Sequence, residues 1–287
     1  MMIRCDRRMI ISITIGQDMD YKEAKDAAID IAKDAGKLLM AYTQKTLAYN
    51  EKSSTIDIVT EADQAAEVLI VERLKALFPE HHIQGEEGGH QGAASEGADY
   101  TWHVDPIDGT TNYAHGIPYF CTSIALATSA CEPVVGVIYA PIADELYVAV
   151  KGEGATRNSE PIHVSDRTHL GQCVVVSGFP YDRQTNPDNN IAEWTAFAPK
   201  VRGLRRMGSA AMDLAYVASG RTDGYWERGL KTYDALAGVL LVQEAGGIVS
   251  DYAGQPKPQD RAEGRYLASN GHIHQQMVDI LMSARQK

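Results

Sequence analysis

Asp105-Pro106-Ile107-Asp108-Gly109-Thr110-Thr111-Asn112 follows Tyr100-Thr101-Trp102-His103-Val104 in a chain of 287 residues. Two carboxylates three positions apart thus leave the end of a strand-like run and meet a Gly-Thr-Thr turn. That layout suits a metal and phosphate site. A carboxylate pair holds hard divalent cations through oxygen ligands, and backbone N–H groups at a helix start hold the phosphate those cations polarise. Pro106 fixes the backbone between the acids, and Gly109 lets a ligand approach the main-chain donors.

Working outward from this stretch, apolar residues upstream recur at three- and four-residue steps from Tyr21 to Tyr42 (Ala24, Ala27, Ala28, Ile31, Ala35, Leu38, Leu39), which predicts an amphipathic helix. A second helix is predicted after Thr60, with Ala62, Ala65, Ala66, Leu69, Ile70, Leu74 and Leu77 on one face and Pro79 beyond its end. Between them Lys52-Ser53-Ser54-Thr55 reads as a turn and Ile56 to Val59 as a short strand. Gly85 to Gly97 holds five glycines and few apolar residues, so it reads as a loop. Strands are expected at Thr101 to Val104, Ser123 to Ala127, Val134 to Tyr139 and Glu145 to Val150, in a mostly antiparallel sheet. Gly152-Glu153-Gly154 and Asn158-Ser159 mark turns.

Downstream, elements alternate: a strand at Cys173 to Ser177, an irregular segment Pro180 to Asn190, a helix Ser209 to Ala218, a strand Gly224 to Glu227, a helix from about Asp234 to Glu244, and a strand Ile248 to Asp251. The alternation suggests a second sheet with covering helices. No internal repeat, low-complexity run or heptad pattern is present. The expected fold class is mixed α/β (α+β) in two lobes sharing one interface, 19–155 and 156–287. Residues 1–18 are expected to form a disordered or strand-like extension ahead of a natural start at Met19. In that extension Arg4, Arg7 and Arg8 precede an apolar run, Met9 to Ile15, far shorter than the roughly 20 residues a membrane span requires. Gly16-Gln17-Asp18 is a poor cleavage site for a leader.

The composition is ordinary for a globular chain, with 44% apolar and 23% charged residues. A net charge of -11 and a pI near 5.3 argue against nucleic-acid or anionic-membrane partners, because both surfaces would repel this one. Cys5, Cys121, Cys131 and Cys173 show no C-x-x-C pair and no zinc spacing, and read as reduced, packed thiols of a cytoplasmic protein.

Further acids stand in informative settings. Asp63 lies three residues after Thr60, which makes it either a capping-box acid or a functional group. Glu86-Glu87 follows Gln84-Gly85, and adjacent acids there repel unless a cation lies between them. Asp234 follows Thr232-Tyr233 and precedes an apolar helix, either as an N-cap or as a ligand. His81, His82, His115 and Ser209 belong to no Ser, His and acid motif and are expected at the surface or in packing.

From about residue 21 to residue 280 the chain resembles the inositol monophosphatase family of magnesium-dependent, lithium-sensitive phosphomonoesterases. The resemblance is carried by Gly85-Glu86-Glu87, by Trp102-His103-Val104-Asp105-Pro106-Ile107-Asp108-Gly109-Thr110-Thr111-Asn112, and by Tyr233-Asp234-Ala235-Leu236-Ala237-Gly238 with Glu244-Ala245-Gly246-Gly247. Three motifs in the right order are far more specific than one. Tyr233 departs from the family pattern, which usually has Trp there. The resemblance implies an alternating α-β-α-β-α layered sandwich and a homodimer.

It also implies two or three Mg2+ ions, with Mn2+ as an alternative: Glu86, Asp105 and the Ile107 carbonyl around the first, Asp105, Asp108 and Asp234 around the second, and Glu86 again for a weaker third. Asp63 and Thr110 would hold and help deprotonate the attacking water, and Gly109 and Thr110 would bind phosphate through their N–H groups. Lys52 would lie on a mobile loop over the site, and Asp108, Ala210 and Glu227 would contact the alcohol. The implied substrate is an inositol monophosphate or a similar small polyol phosphate. Hydrolysis of fructose 1,6-bisphosphate is the alternative, with Arg202, Arg205 and Arg206 as a source of charge for a second phosphate. A non-catalytic interaction protein that has kept the fold is the reading from another class.

Overall fold

A computed structural model of the chain describes residues 21–43, 49–54, 57–91, 98–256 and 264–285. The extension expected over residues 1–18, Cys5, Thr55, Ile56 and residues 92–97 lie outside the described residues.

The N-terminal half is built as expected, with strands that run longer. Helix α1 spans Tyr21–Tyr42 and α2 spans Glu61–Leu77. Thr60 caps α2: its hydroxyl accepts from the Ala62 and Asp63 N–H groups, and its own N–H donates to Asp63 at 2.8 Å, a reciprocal capping box. An eight-stranded sheet follows. Its strands are β3 (His82–Gly85), β4 (His90–Gln91), β5 (Tyr100–Asp108), β6 (Cys121–Thr128), β7 (Pro133–Ala140), β8 (Glu145–Val150), β9 (Gly154–Arg157) and β10 (Glu160–Pro161). The spatial order is β10-β9-β8-β7-β6-β5-β3-β4, antiparallel throughout except for the parallel pair of β3 with β5.

Two expectations are corrected. Lys52 to Ser54 is not a turn but the end of a strand, β1 (Tyr49–Ser54), paired antiparallel with β2 (Asp57–Thr60). The polar run Tyr-Asn-Glu-Lys-Ser-Ser lacks an apolar alternation, so only pairing reveals it. The stretch beginning at Gly85 is not all loop either, since β3 and β4 close a small hairpin around Glu86 to Gly89.

The second half forms a five-stranded sheet in the order β12-β11-β13-β15-β14, from β11 (Val174–Ser177), β12 (Gly203–Arg205), β13 (Gly224–Glu227), β14 (Ile248–Ser250) and β15 (Tyr266–Ser269). The helices are a short α3 (Thr110–Ala114), α4 (Ile191–Phe197), α5 (Ala210–Ala218), α6 (Thr232–Glu244) and α7 (His274–Ala284).

Alternation of side chains along the strands builds the layers. Trp102 and Val104 of β5 face Ala24, Ile31, Ile70 and Leu74 of α1 and α2. On the other face of that sheet, Ala125 and Ile138 meet Leu214 of α5 and Leu236 and Leu240 of α6. The same two helices press on Val176, Tyr225 and Ala268 of the second sheet. Val175, Trp226 and Leu267, pointing the other way, meet Phe197 of α4 and Met277 and Leu281 of α7. The order is therefore α-β-α-β-α. Helix α6 is buried continuously from Ala235 to Val242 because it is sandwiched between two sheets. It approaches β7 so closely that a Cβ at Gly136 would stand 2.8 Å from the Ala237 carbonyl oxygen. Truncating Leu236 in that layer would cost about 2–5 kcal/mol. Among the described residues no helix is long and apolar enough to cross a membrane.

Candidate active site

Asp105 and Asp108 differ by an odd number of residues, so a regular strand would send them to opposite faces. The pairing of β5 with β6 breaks register between them: Asp105 stands opposite Ser123 and Asp108 opposite Cys121. Pro106 has no N–H for the ladder, and its carbonyl accepts instead from the Thr122 hydroxyl at 2.9 Å. The bulge brings both carboxylates, with Ile107 between them, to the wall of one cleft of about 650 Å3. Gly109 then turns the chain in the left-handed region, φ 99°, into α3. A Cβ there would lie 3.1 Å from the Tyr119 carbonyl oxygen, so glycine is needed for both conformation and space. The first-turn N–H groups of α3 have no intrahelical acceptor and lie beside this wall.

Other elements bring their acids to the same cleft. Glu86 leaves the end of β3, where its N–H bonds Val104 O at 3.2 Å. Asp234 arrives on α6, whose entry is tied to the sheet by the Ser123 hydroxyl donating to the Tyr233 carbonyl at 3.3 Å. Asp234 is the third residue of α6 rather than its N-cap, and it accepts the Lys231 N–H at 2.7 Å. Glu86, Asp105, Asp108 and Asp234 thus line one cleft from three separate chain segments.

The electrostatics of this wall are unfavourable by themselves. Asp105 is 2% exposed; burial pushes its pKa well above the usual carboxylate range, and repulsion from Glu86, Asp108 and Asp234 pushes the same way. Its Oδ1 is buried and has no hydrogen-bond donor. Burial and the charge of Glu86 raise Asp234 well above its ordinary value, against the Lys231 N–H. Burial also raises Glu86, opposed by Lys52, whose Nζ donates to Glu86 Oε1 at 2.9 Å and also to Glu87. Asp108 is raised by burial despite hydrogen bonds that include those from Ser209 Oγ at 2.6 Å, Ala211 N at 2.6 Å and Ala210 N at 3.2 Å.

Divalent cations fit this set. The donors are all hard oxygens, one buried oxygen has no donor, and an ammonium group already bridges the Glu86 and Glu87 carboxylates. The carboxylates are not a closed shell: among the described residues no three His, Cys, Asp or Glu side chains are gathered tightly enough to enclose an ion.

Asp63 lies behind that wall, fully buried, and does not line the cleft. Its Oδ2 accepts from the Thr60 hydroxyl at 2.6 Å, while its Oδ1 faces Thr110 Oγ1 at 3.0 Å. Thr110 does line the cleft, and its Oγ1 also lies 3.0 Å from the Ile107 carbonyl. The capping and functional readings of Asp63 are therefore compatible, since one oxygen caps α2 and the other reaches Thr110. Burial raises its pKa, against the hydrogen bonds from Thr60 and Thr110.

Ala210, Glu227 and Lys52 also line the cleft, Ala210 beside Asp108 and Lys52 beside Glu86. Burial raises Glu227 to about 7, against the hydrogen bond from Tyr225 Oη at 2.6 Å and the charge of Arg206. Of the three arginines at 202, 205 and 206, only Arg206 lines the cleft. His115 is exposed, and His81 stacks on Phe78 at 5.2 Å. Ser209, expected at the surface or in packing, is buried and holds Asp108. Its signal in the sequence was its place one residue before α5. Cys121 and Cys173 are buried thiols.

The model of the inositol monophosphatase family matches residues 20–286. An inositol-1-monophosphatase from Synechocystis sp. is 43% identical over 267 residues, covering 93% of this chain and 91% of that protein. A Nus factor SuhB from Pseudomonas aeruginosa is 43% identical over 247 residues, covering 85% of this chain and 90% of that one. Among solved structures, the inositol monophosphatase from Anabaena (Nostoc) sp. superposes with a TM-score of 0.83 at 44% identity, covering 92% of this chain and 97% of the other.

Proposed function

The chain belongs to the inositol monophosphatase family, and on that premise we propose that it is a magnesium-dependent phosphomonoesterase acting on inositol monophosphates or similar small polyol phosphates. The observation that carries this reading is the convergence of Glu86, Asp105, Asp108 and Asp234 on one cleft, with a buried Asp105 oxygen that has no donor.

Glu86, Asp105 and the Ile107 carbonyl would hold one Mg2+ or Mn2+ ion, Asp105, Asp108 and Asp234 a second, and Glu86 a weaker third. When bound, the ions supply Lewis-acid chemistry: they offset the carboxylate charge, acidify the attacking water and stabilise the departing alkoxide. The N–H groups of Gly109, which caps α3, and of Thr110, its first residue, hold phosphate oxygens as charge builds on them. Thr110 orients the water and passes its proton toward Asp63, whose burial makes it a better proton acceptor than a solvated aspartate. Asp108, the Ala210 backbone and Glu227 receive the hydroxyls of the alcohol, and Lys52 closes over the phosphate side. In this reading lobes 19–155 and 156–287 supply the two walls, and the protein works in the cytoplasm as a homodimer.

Of that arginine cluster only Arg206 reaches the cleft, where Arg228 and Lys231 also lie, so the charge for a second phosphate of fructose 1,6-bisphosphate would come from these three. The similarity to the P. aeruginosa Nus factor supports a second reading, an interaction protein that has kept this fold. Phosphate release from a panel of polyol and sugar phosphates, with Mg2+ and with EDTA, decides among the three. Cation-dependent hydrolysis of monophosphates supports the proposal, and silence across the panel favours the interaction role.

A further inference from the structure

Glu67 lies one helical turn after Asp63 on α2 and is 4% exposed. Four-residue spacing puts both acids on the same face of the helix. Asp63 is engaged with Thr60 and Thr110, whereas Glu67 reaches into the hairpin that follows β3. Its Oε2 accepts the Glu87 N–H at 2.8 Å, and its Oε1 accepts the Gly88 N–H at 2.6 Å and the Gln91 side-chain amide at 3.0 Å.

Two successive backbone N–H groups and an amide thus surround one buried carboxylate, as an anion is held in a backbone nest. The hairpin backbone lies against it: a Cβ on Gly85 would stand 2.6 Å, and one on Gly88 2.9 Å, from Glu67 Oε1. Glu86 sits between these two glycines and points the other way, into the cleft.

We propose that Glu67 is a positioning residue for cation binding, fixing the hairpin so that the Glu86 and Glu87 carboxylates face the cleft. It rests on the proposed function, because it gives Glu67 a role toward the cations that function requires. Helix α2 then sets two arms of the site at once, with Asp63 behind Thr110 and Glu67 behind Glu86. A neutral side chain at 67 cannot satisfy all three donors, since an amide nitrogen would face an N–H. The hairpin then shifts and Glu86 loses its aim, while the helix and the apolar cores stay intact.

The test uses the full-length protein and Mn2+ or Mg2+ alone. Titration calorimetry without substrate gives cation affinity, melting in EDTA gives fold stability, and phosphate release against cation concentration gives half-saturation and kcat. Glu67→Gln is expected to weaken cation binding about 10- to 100-fold, as loss of a supporting hydrogen-bond partner does at metal sites. Its kcat should recover to within about threefold of wild type at saturating cation, and its melting point in EDTA should fall by no more than the several degrees one unsatisfied buried donor costs. Gln91→Leu, which removes one of the three donors, should shift affinity the same way by a smaller factor and serves if Glu67→Gln does not fold. The exposed Glu72→Gln on the same helix should change nothing.

Unchanged cation affinity in a folded Glu67→Gln protein overturns the proposal, as does a lost kcat that added cation does not restore. A wild-type protein that binds no cation removes instead the functional reading beneath it.

Discussion

Asp105→Asn should make the cation-free protein more stable while destroying its response to Mg2+. Asp105 is 2% exposed, with one oxygen lacking a donor and three like-charged neighbours. At pH 7 the penalty it imposes has a ceiling, because the carboxyl can always take up a proton; from an ordinary value of 3.8 that costs about 4 kcal/mol. The sign follows from the raised pKa: the protonated form favours the fold, and that contribution is lost as pH rises through the folded value. Asparagine removes the charge but buries an amide whose own hydrogen bonds are incomplete, at about 1–3 kcal/mol. The net gain is therefore at most about 1–3 kcal/mol, and at about 2–4 °C per kcal/mol the melting point in EDTA should rise by up to several degrees. Scanning calorimetry with EDTA and with Mg2+ provides the assay. Wild type should gain stability on adding Mg2+, and Asp105→Asn should not, with phosphate release lost as well. A variant that melts lower than wild type in EDTA, or that still responds to Mg2+, would refute the reasoning.

Thr110→Val keeps the shape but removes the hydroxyl that faces Asp63, so kcat should fall about 100- to 10,000-fold with KM nearly unchanged, read by steady-state phosphate release. Glu227, raised to about 7 by burial, should lose its charge as pH falls below that value. kcat/KM should therefore show an acid limb near pH 7 that Glu227→Gln abolishes. Asp188 behaves oppositely: burial pushes its pKa up, but Arg285 and Arg265 outweigh that and hold it at about 2. Its contribution, about 1–2 kcal/mol after allowing for solvent screening, is present above pH 4 and lost as pH falls toward 2. Denaturant melts of wild type and Asp188→Ala should converge at that acid end.

Local signals carried much of the fold in the sequence. The limits of α1 and the Thr60 cap of α2 were legible because they depend on spacing and short-range hydrogen bonds. The strand Tyr266–Ser269 was not, because all four residues are buried and a short apolar run has no period to read. Gly203–Arg205 and Ile191–Phe197 are too short to show a pattern. Helix α7 was not predicted either, although Met277, Val278, Ile280 and Leu281 carry a readable amphipathic spacing. The place of α6 between two sheets required the tertiary structure, because a helix apolar all round does not say what covers it.

The acids of the site were legible as motifs, but the bulge that turns Asp105 and Asp108 to one side was not. Neither was the position of Asp63 behind Thr110. Glu67 had no motif of its own, and its signal was an acid one turn from Asp63 on the same helix face.

Anomalous scattering from crystals grown with Mn2+ tests the central claim most directly. Peaks touching Glu86, Asp105, Asp108 and Asp234 together, beside the first turn of α3, are predicted. Manganese bound only at other carboxylates, with Glu86 still held by Lys52 and Asp108 and Asp234 by backbone N–H groups, would contradict it.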